Sequence, residues 1–438
     1  MSLELQDLSV QYLKTGDLKP YASNARTHSK SQVRKIAESI RSFGFTNPLL
    51  IDASDTIIAG HGRLAAAKLL GFEQVPIIRL ESLTPAQIRA YIIADNRLAE
   101  DAGWDNDILK IEMQHLIVDD QIDISLTGFE IPEIDLILAN EPTKNDPDDD
   151  LPDETGEVIT QPGDLWHLGK HRIFCGDTRN ESSLRTLMKN QRADLIFTDP
   201  PYNVVIDGNV SGKGVVKHKD FAMATGEMSQ AEFTKFLEDS LGSLAHYSKA
   251  GSVHFVCQDW RHITELLTAG EKVYDTLLNL CVWAKNMGGQ GSFYRSRHEL
   301  VFVFRHGKEK YRNNIQLGRF GRYRTNVWEY PAIRGFSQQQ GEEGNLLALH
   351  PTVKPVALVA DAILDCSAPG DLVLDGFLGS GSTLIAAERV RRVCYGVEFD
   401  PKYVDVAIRR WQRYTGSKAV NALTNINFDK VVSKGELQ

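Results

Sequence analysis

In the first 80 positions, segments with apolar residues at helical spacing alternate with short continuous apolar runs. Four of them recur at intervals of three or four residues and predict a helix over 31–43: Val33, Ile36, Ile40 and Phe43. Short apolar runs follow in FTNPLLID, TIIAG and VPIIRL, and each is typical of a strand, whereas LAAAKLLG predicts a second helix. Strands and helices that alternate in this way indicate a small α/β domain over residues 1–83.

The pattern becomes helical beyond residue 83 and then disappears. A Thr-Pro pair provides an N-cap and a first-turn proline, and amphipathic stretches follow around 105–118 and 131–139. We interpret 84–139 as a helical appendage to the first domain. Asp, Glu, Pro and Asn then dominate residues 140–162, which predicts an extended linker whose charges repel one another.

From residue 163 onward, strand-like runs alternate with helical runs again. DLIFT, LVLD and VCYGVEF are short, mostly apolar runs that predict strands, while VALVADAIL and STLIAAERV predict helices. The alternation indicates a second and larger α/β domain over 163–420, followed by a C-terminal tail at 421–438.

Composition limits the class of protein without deciding its function. The 438 residues are 42% apolar and 24% charged, which is ordinary for a globular protein. No apolar run approaches the ~18–20 residues of a membrane helix, and MSLELQDLSVQYL lacks the features of a secretory signal, so we expect a cytoplasmic protein. Five scattered Cys residues without a CxxC pair exclude a disulfide scaffold and a zinc ribbon, and no metal site is expected.

The net charge of −9 is the sum of two regions of opposite sign. Residues 1–160 carry 14 basic and 28 acidic side chains, whereas 161–438 carry 35 basic and 30 acidic ones. One window, 285–334, holds 11 basic and three acidic residues and has a net charge of +8. The acidic average therefore does not exclude a nucleic-acid partner.

The tetrapeptide Asp199-Pro200-Pro201-Tyr202 directly follows the predicted strand DLIFT. Its prolines lack N–H donors and have fixed φ angles, so the turn presents its carbonyl groups rigidly. The Asp199 side chain and the Pro200 carbonyl can each accept one N–H from an exocyclic amine, and Tyr202 can stack on an extruded base. We predict that these four residues form the catalytic site.

A second strand–loop–helix segment, DLVLDGFLGSGSTLIAAERV, begins at residue 371. Gly379 and Gly381 allow a ligand to approach the backbone at the start of the helix, and Asp375 ends the preceding strand. Glu398 ends the next strand, where it can bind a ribose diol. A dinucleotide-binding fingerprint is the alternative, but Leu384 occupies its third glycine position and the loop has no basic residue. The segment favours a nucleoside ligand without a pyrophosphate, such as S-adenosylmethionine.

These motifs, together with HPTVKP at 350–355 and HRIFCGD at 171–177, resemble the amino-methylating DNA methyltransferases of the permuted beta class. The resemblance covers about 161–415. It implies a Rossmann-like, S-adenosylmethionine-dependent methyltransferase sheet with helices on both faces. It also implies a set of cofactor-binding residues, in which the first meets the adenine and the last takes the ribose hydroxyls: Asp177, Thr352, Lys354, Asp375, Phe377, Gly379, Gly381, Ser382 and Glu398.

The implied reaction is a direct methyl transfer to the exocyclic amine of a base flipped out of double-stranded DNA. A cytosine ring-carbon methylase needs a Cys nucleophile after Pro, and none of the five Cys residues follows Pro. Asp as the first residue of the DPPY motif favours adenine N6, with cytosine N4 as the alternative. Two further hypotheses stay open: methylation of RNA or of a protein glutamine, and a ParB-type DNA-binding regulator with an inactive methylase.

The basic window lies within residues 285–345, where this class keeps its target-recognition region. Aromatic residues interleave with the basic ones, as expected of a surface that binds phosphates and reads bases. The predicted DNA contacts are Arg295, Arg297, Arg319, Arg322 and Arg324, together with Lys213 and Lys217 in the Gly-rich loop 207–219. We expect this loop to close on the flipped strand.

Residues 8–80 resemble the ParB/sulfiredoxin-like domain, through NAR at 24–26 and IAGHGRLAAAKLLG at 58–71. In that family the turn occupied here by Gly60, His61, Gly62 and Arg63 contacts a nucleotide phosphate, which we keep as a hypothesis. No Cys precedes residue 175, which excludes sulfiredoxin-type redox chemistry. The domain order resembles phage and prophage fusions of a ParB-like domain to a methylase, and we expect a link to restriction–modification, a homodimer and a protein partner of the first domain.

Overall fold

The computed structural model divides the chain into two compact units, Met1–Glu130 and Ile131–Gln438. The described residues are 8–101, 103–118, 122–138, 149, 158–204, 226–286, 288, 293–319, 322–332 and 353–435. Several predicted features lie outside them: the loop 207–219 with Lys213 and Lys217, Thr352, and most of the linker 140–162. Within the described residues, no helix combines the length and the hydropathy that a membrane crossing requires.

The first unit contains the predicted small α/β domain. Its strands and first two helices are β1 (Val10–Lys14), α1 (Lys30–Phe43), β2 (Leu49–Ile51), β3 (Ile57–Ala59), α2 (His61–Leu70) and β4 (Gln74–Arg79). The strand order is β1-β4-β2-β3, with β2 parallel to β4. Leu49, Ile57 and Ile77 are fully buried in its core. The helix predicted over 31–43 and the strands predicted around it are confirmed.

The helices that follow are shared between the two units. Helices α3 (Pro85–Asp101) and α4 (Asn106–Val118) lie in the first unit, whereas α5 (Ile131–Leu138) lies in the second. The assignment of 84–139 to the first domain is therefore corrected for its last helix. Asp135 of α5 accepts hydrogen bonds from the Arg392 guanidinium at 2.7 and 3.0 Å, and both side chains are buried. Because separating such a pair would leave a buried charge uncompensated, α5 is held to the second unit.

The described residues of the second unit form one ten-stranded sheet. Its strands are β5 (Leu165–Leu168), β6 (His171–Cys175), β7 (Ala193–Thr198), β8 (Ser248–Gln258), β9 (Thr276–Ala284), β10 (His298–Arg305), β11 (Val327–Glu329), β12 (Leu372–Asp375), β13 (Val393–Glu398) and β14 (Val420–Asn421). Its further helices are α6 (Glu181–Met188), α7 (Gln230–His246), α8 (Ile263–Val273), α9 (Val356–Cys366), α10 (Ser382–Arg389), α11 (Pro401–Thr415) and α12 (Phe428–Gly435). The strand order is β11-β9-β10-β8-β7-β12-β13-β6-β5-β14, and the strands from β8 to β6 in this order are parallel.

Helices cover both faces of this sheet. In β7, Leu195 and Phe197 pack with α9, α10 and α11, whereas Ile196 packs with α6. In β8, Val256 packs with α7 and α8, away from Phe255. Because successive side chains of a strand point to opposite faces, the two sets of helices lie on opposite sides of the sheet. The Rossmann-like α/β fold predicted from the sequence is confirmed.

The chain leaves the neighbouring strands β7 and β12 in opposite directions. β7 connects through α7 to β8, and β12 connects through α10 to β13 on the other side. The carboxyl ends of β7 and β12 therefore border a crevice, which is where open α/β sheets bind ligands. The DPPY turn follows β7 and the glycine loop follows β12, so the fold places two motifs that are distant in the sequence at one crevice.

The C-terminal segment is part of the second unit rather than a separate tail. β14 pairs with β5 in an antiparallel ladder. Phe428 of α12 is 1% exposed, and its ring meets the edge of Trp166 at a centroid distance of 5.3 Å. The predicted domain boundary at residue 420 is therefore corrected, because apolar burial continues into α12.

Candidate active site

Asp199 is the first residue after β7 and lies at the crevice between β7 and β12. Its carboxylate accepts a hydrogen bond from the Tyr202 hydroxyl at 2.6 Å and another from the Lys354 ammonium at 2.5 Å. Burial raises the pKa of Asp199, and the neighbouring Lys354 offsets only part of this effect. Pro200 is buried, and Pro201 is partly buried. The four residues of the predicted catalytic motif thus form a turn whose carboxylate faces a lysine.

Asn203 fixes the carboxyl side of this turn. It has a left-handed backbone with a φ of +52°, which Asn tolerates better than most residues. Its amide group donates to the Met228 carbonyl at 2.8 Å and accepts the backbone N–H groups of Gly226 and Met228 at 3.0 and 3.2 Å. We call these three bonds the Asn203 clasp, and they join the end of the DPPY turn to the residues that precede α7.

A second carboxylate, that of Glu299, faces the same lysine from the start of β10. One Glu299 oxygen lies 3.0 Å from the Lys354 ammonium, and the other accepts a hydrogen bond from Lys285. Burial alone would raise the pKa of Glu299, but the two ammonium groups outweigh it and lower the pKa to about 2. Glu299 is therefore an ionised, buried carboxylate at neutral pH.

Sequence reasoning missed Glu299 and Lys285, although the sequence contains one signal for the carboxylate. In HELVFVFR, both faces of the strand are apolar and buried, and Glu299 shares its face with Val301 and Val303 of the core. A charged side chain in that register is costly unless it is paired, so its presence points to a buried partner. The identity of that partner depends on which distant segment the fold brings to β10.

Lys354 belongs to the amine site as well as to the segment that the resemblance places near the cofactor. It is 4% exposed, and its ammonium lies 5.4 Å from the centre of the Tyr202 ring and 5.9 Å from that of Trp283. Burial would lower the pKa of Lys354, but Asp199 and Glu299 outweigh it and raise the pKa above its ordinary value. The ammonium is therefore charged and shared between two carboxylates.

Asp375, the last residue of β12, is surrounded by hydrogen-bond donors. Its oxygens accept the hydroxyls of Thr198 and Thr383 at 3.0 and 2.7 Å and the Phe377 N–H at 3.0 Å. Burial nevertheless raises the pKa of Asp375 to about 6. Because Thr198 immediately precedes Asp199, the Thr198 bond ties the cofactor-side strand to the catalytic turn.

Glu398, the last residue of β13, shapes the glycine loop. Its carboxylate accepts the backbone N–H groups of Gly379 and Asp400 at 2.8 and 2.9 Å, and burial raises its pKa to about 7. Gly381 has a φ of +86°, and a Cβ atom there would lie 3.0 Å from the side chain of Ala407. Helix α10 begins at the next residue without a side-chain N-cap bond. Residues 378–381 of the loop are buried, and the contacts with Glu398 and Ala407 fix their backbone at the start of α10.

The predicted cofactor residue Ser382 is buried at the start of α10. Its hydroxyl and the Ser380 carbonyl accept hydrogen bonds from the buried Arg410 guanidinium, at 3.3 and 3.2 Å. Ser382 is thus already bonded to the arginine that supports the loop.

Asp177 follows the end of β6 by two residues. It pairs with Arg179 at 2.6 Å, and although burial opposes the change, the Arg179 bonds lower the pKa of Asp177. The Arg179 guanidinium lies 5.2 Å from the centre of the Phe236 ring, which in turn contacts the predicted cofactor residue Phe377 at 5.9 Å. Acidic residues therefore end or follow four neighbouring parallel strands at one edge of the sheet: Asp177, Glu398, Asp375 and Asp199.

The predicted DNA-contacting arginines fall into two groups. Three are exposed: Arg295, Arg297 and Arg319. Arg322 is only 9% exposed and bonds to Asp365 at 2.5 Å, while Arg324 pairs with Asp361 and Asp365 at 3.3 and 3.4 Å. The base-reading role predicted for Arg322 and Arg324 is corrected, because their guanidinium groups fasten residues 322–330 to α9. Part of the positive charge in the 285–334 window is therefore neutralised inside the protein.

Two exposed aromatic residues project from the connection between β9 and β10. Phe293 and Tyr294 are 85% and 81% exposed, and their rings form an edge-to-face pair at 4.5 Å. β10 is antiparallel to β8, so this connection lies at the same sheet edge as the carboxyl ends of β7 and β8. Large exposed aromatic pairs of this kind mark an interaction surface more often than isolated ones do.

In the first unit, the predicted phosphate-binding turn has a distinctive conformation. Gly60 has a φ of +101°, Gly62 is buried, and the Arg63 guanidinium lies 2.9 Å from the position that a Gly60 Cβ would take. The His61 ring accepts the Tyr21 N–H at 3.2 Å, and burial lowers the pKa of His61. Among the described residues, the Arg63 Nε atom has no hydrogen-bond partner.

Comparison with known protein families accounts for most of the chain. Residues 193–409 match the DNA methylase family of N6 and N4 type, and residues 1–96 match the ParB N-terminal domain. Residues 107–162 match the ParB-methyltransferase HTH domain, which pattern reasoning described only as helices and a linker.

Individual proteins resemble one or the other part of the chain. The ParB-like nuclease domain-containing protein YnaK of Escherichia coli (strain K12) is 51% identical over 82 residues, which are 19% of this chain and 94% of YnaK. The type II methyltransferase M.HinfI of Haemophilus influenzae is 27% identical over 233 residues, which are 50% of this chain and 63% of M.HinfI. Among solved structures, the M1.HpyAVI-SAM complex is 21% identical with a TM-score of 0.40 and covers 54% of this chain and 97% of that chain. The PvuII DNA methyltransferase (cytosine-N4-specific) is 17% identical with a TM-score of 0.41, and the match covers 60% of this chain and 89% of that chain.

Proposed function

Because the chain belongs to the S-adenosylmethionine-dependent DNA methylase family of N6 and N4 type and carries ParB-type domains ahead of the methylase, we propose that it methylates adenine N6 at specific sites in double-stranded DNA. One observation carries the proposal. The catalytic turn at Asp199 and the loop at Asp375 lie at the ends of neighbouring strands and are joined through the Thr198 hydroxyl. An amine held by Asp199 and a nucleoside held after β12 would meet at this crevice.

The residues around the crevice fit S-adenosylmethionine as the methyl donor. Glu398 has a raised pKa, so hydroxyl donors from a ribose would stabilise its ionised form. Asp177 would contact the adenine, and Asp375 and Phe377 would border the methionine end. The loop 376–381 contains no basic side chain for a pyrophosphate, while the surrounding carboxylates complement a cationic sulfur. The bound cofactor supplies an electrophilic methyl group on a sulfonium.

The protein's own groups orient and stabilise the target amine. The Asp199 carboxylate and the Pro200 carbonyl each accept one N–H, which aims the nitrogen lone pair along the line of the methyl–sulfur bond. As the N–C bond forms and the C–S bond breaks with its electrons on sulfur, positive charge develops on the amine next to Asp199. The raised pKa of Asp199 makes it a suitable acceptor for the proton that the methylated amine then releases. Tyr202 would stack on the flipped base.

Product analysis of methylated DNA tests the proposal directly. The purified protein is incubated with labelled S-adenosylmethionine and unmethylated genomic DNA, and the DNA is digested to nucleosides for mass spectrometry. N6-methyl-2′-deoxyadenosine supports the proposal, and N4-methyl-2′-deoxycytidine would assign the second candidate, cytosine N4. Label in RNA or protein but not in DNA, or the absence of any transfer, would reject DNA methylation in favour of an RNA or protein methylase or of a DNA-binding regulator.

The exposed part of the basic window is the proposed DNA surface. Arg295, Arg297 and Arg319 would contact phosphates or base edges, and Lys213 and Lys217, which lie outside the described residues, would add phosphate contacts. The exposed Phe293–Tyr294 pair at the crevice edge supports this location, because aromatic rings stack on bases without sequence preference. Neutralising one phosphate contact should reduce the salt dependence of binding by about one counterion.

A nucleotide or phosphate at residues 60–63 is a second, separate proposal. The Arg63 Nε atom has no hydrogen-bond partner among the described residues, and α2 begins there without a side-chain cap. Calorimetric titration of nucleoside triphosphates should give binding heat that Arg63→Ala removes, with methyl transfer unchanged. A homodimer, a protein partner of the ParB-like domain, a cytoplasmic location and a cognate restriction enzyme are further expectations, and sedimentation analysis would test the first of them.

A further inference from the structure

The amine site is a balanced cluster of two carboxylates and two ammonium groups. Asp199 and Glu299 carry the negative charges, and Lys354 and Lys285 carry the positive ones. Lys354 touches both carboxylates, whereas Lys285 is bonded to Glu299. The side chains of Glu299 and Lys354 are 7% and 4% exposed, and that of Asp199 is 18% exposed, so little solvent screens the charges of this cluster.

Lys354 occupies the position that the target amine needs. Its ammonium lies 2.5 Å from an Asp199 oxygen, and the Tyr202 hydroxyl bonds to the other oxygen. An incoming amine would therefore compete with the ammonium for the Asp199 carboxylate, because each of its oxygens already accepts one hydrogen bond. The ammonium would also oppose the positive charge that develops on the amine nitrogen during transfer, because both charges would lie beside the same carboxylate.

The Glu299 carboxylate can bind the Lys354 ammonium after its displacement from Asp199, and the ammonium would hardly need to move. The Lys354 nitrogen is already 3.0 Å from one Glu299 oxygen. Lys285 holds the other oxygen and lies 4.5 Å from the centre of the Trp283 ring, so that β9 and β10 fix the orientation of Glu299. If Glu299 were removed, the buried Lys354 ammonium would keep Asp199 as its anionic partner in the cluster, because a buried charge needs a partner.

We propose, on the basis of the methyl transfer proposed above, that Glu299 is a positioning residue that retains the Lys354 ammonium while the target amine replaces it on Asp199. Without Glu299, the ammonium binds Asp199 alone and competes with the amine. The loss caused by removing Glu299 should therefore depend on the presence of Lys354. A merely structural Glu299 would give a loss that does not depend on Lys354.

The test compares Glu299→Gln, Lys354→Met and the double variant in single-turnover methyl transfer to unmethylated genomic DNA. Glu299→Gln should slow transfer at least tenfold while the dissociation constant of S-adenosylmethionine stays within twofold. The double variant should be no slower than Lys354→Met alone. Glu238→Gln is the matched control, since it breaks a partly exposed Glu–Lys pair of 2.8 Å on α7 and α8 and should change none of these values.

The outcomes separate this inference from the proposed function. Wild-type protein that transfers no methyl group to DNA would reject the proposed function and the inference with it. If the wild type is active but the rate losses of the two single variants multiply in the double variant, the inference alone is rejected. The same holds if the rate of Glu299→Gln lies within twofold of the wild-type rate. If Glu299→Gln does not fold by thermal melting, Glu299→Asp takes its place, since it keeps the charge but shortens the reach. It should then show a smaller loss that Lys354→Met again removes.

Discussion

Cofactor binding should become tighter with rising pH because of Glu398. The rise in the pKa of this carboxyl from 4.5 to about 7 corresponds to about 3 kcal/mol against its ionised form. An ionised carboxylate accepts hydrogen bonds from ribose hydroxyls more strongly than a neutral carboxyl does, so the complex favours the ionised form and binding releases a proton. With a pKa of about 7, the ionised fraction grows from about 10% at pH 6 to about 90% at pH 8. The dissociation constant should therefore fall about tenfold between these two pH values.

Isothermal titration calorimetry with S-adenosylmethionine at pH 6, 7 and 8 measures this dependence. Repeating the titration at pH 6 in buffers of different ionisation enthalpy counts the protons released, and we expect a value close to one. Glu398→Gln should bind more weakly at pH 8 and lose most of the pH dependence. Glu238→Gln again serves as a partly exposed control. A wild-type dissociation constant that is the same within twofold from pH 6 to pH 8, or an equal slope in Glu398→Gln, would refute the assignment of Glu398 to the ribose.

Three further predictions concern catalysis, folding and loop shape. Asp199→Asn should lower the single-turnover rate by about 10²–10³, as the loss of one charge-stabilising group does in other enzymes, with cofactor affinity within threefold by calorimetry; an active variant would refute its role. Arg322→Ala should lower the free energy of unfolding by about 1–3 kcal/mol in urea, because it removes the 2.5 Å partner of the buried Asp365 and leaves this carboxylate with Arg324. Arg319→Ala, at an exposed position, should change stability by less than about 1 kcal/mol and weaken DNA binding in a filter assay; equal effects of the two substitutions would contradict the division of the arginines. Gly381→Ala should cost about 1–3 kcal/mol of stability and weaken cofactor binding, since its φ of +86° suits glycine, and a fully stable variant that binds normally would contradict this reasoning.

The parts of the site that sequence reasoning anticipated are those whose signal is local. In each of the two motifs, an apolar strand, an Asp at its end and the Pro-Pro-Tyr turn or glycine loop that follows all lie within about ten residues, so the local sequence is enough to predict the turn. The fold confirms that both segments follow neighbouring parallel strands. The Glu299–Lys354 contact could not be found in this way, because it joins β10 to the segment before α9. Local motifs therefore predict the chemistry of a segment, whereas the strand order of the folded sheet decides which distant segments come into contact.

The summed charge of a segment indicates a candidate DNA-binding surface, but it does not show which individual basic residues are exposed. The positive window 285–334 was identified correctly as a change of sign, but Lys285, Arg322 and Arg324 are bonded to carboxylates within the protein. Their partners lie far away along the chain, or across a hairpin in the case of Lys285, and no spacing rule reveals them. The same limit explains α5, whose Asp135 is bonded to Arg392 of the methylase unit.

The Asn203 clasp has a consequence for how the protein can vary. It brings residues 203 and 226–228 together, so the 205–225 segment starts and ends at one fixed point beside the catalytic turn. Insertions or deletions within this segment should therefore leave the position of Tyr202 unchanged, provided that Asn203 and residues 226–228 are kept.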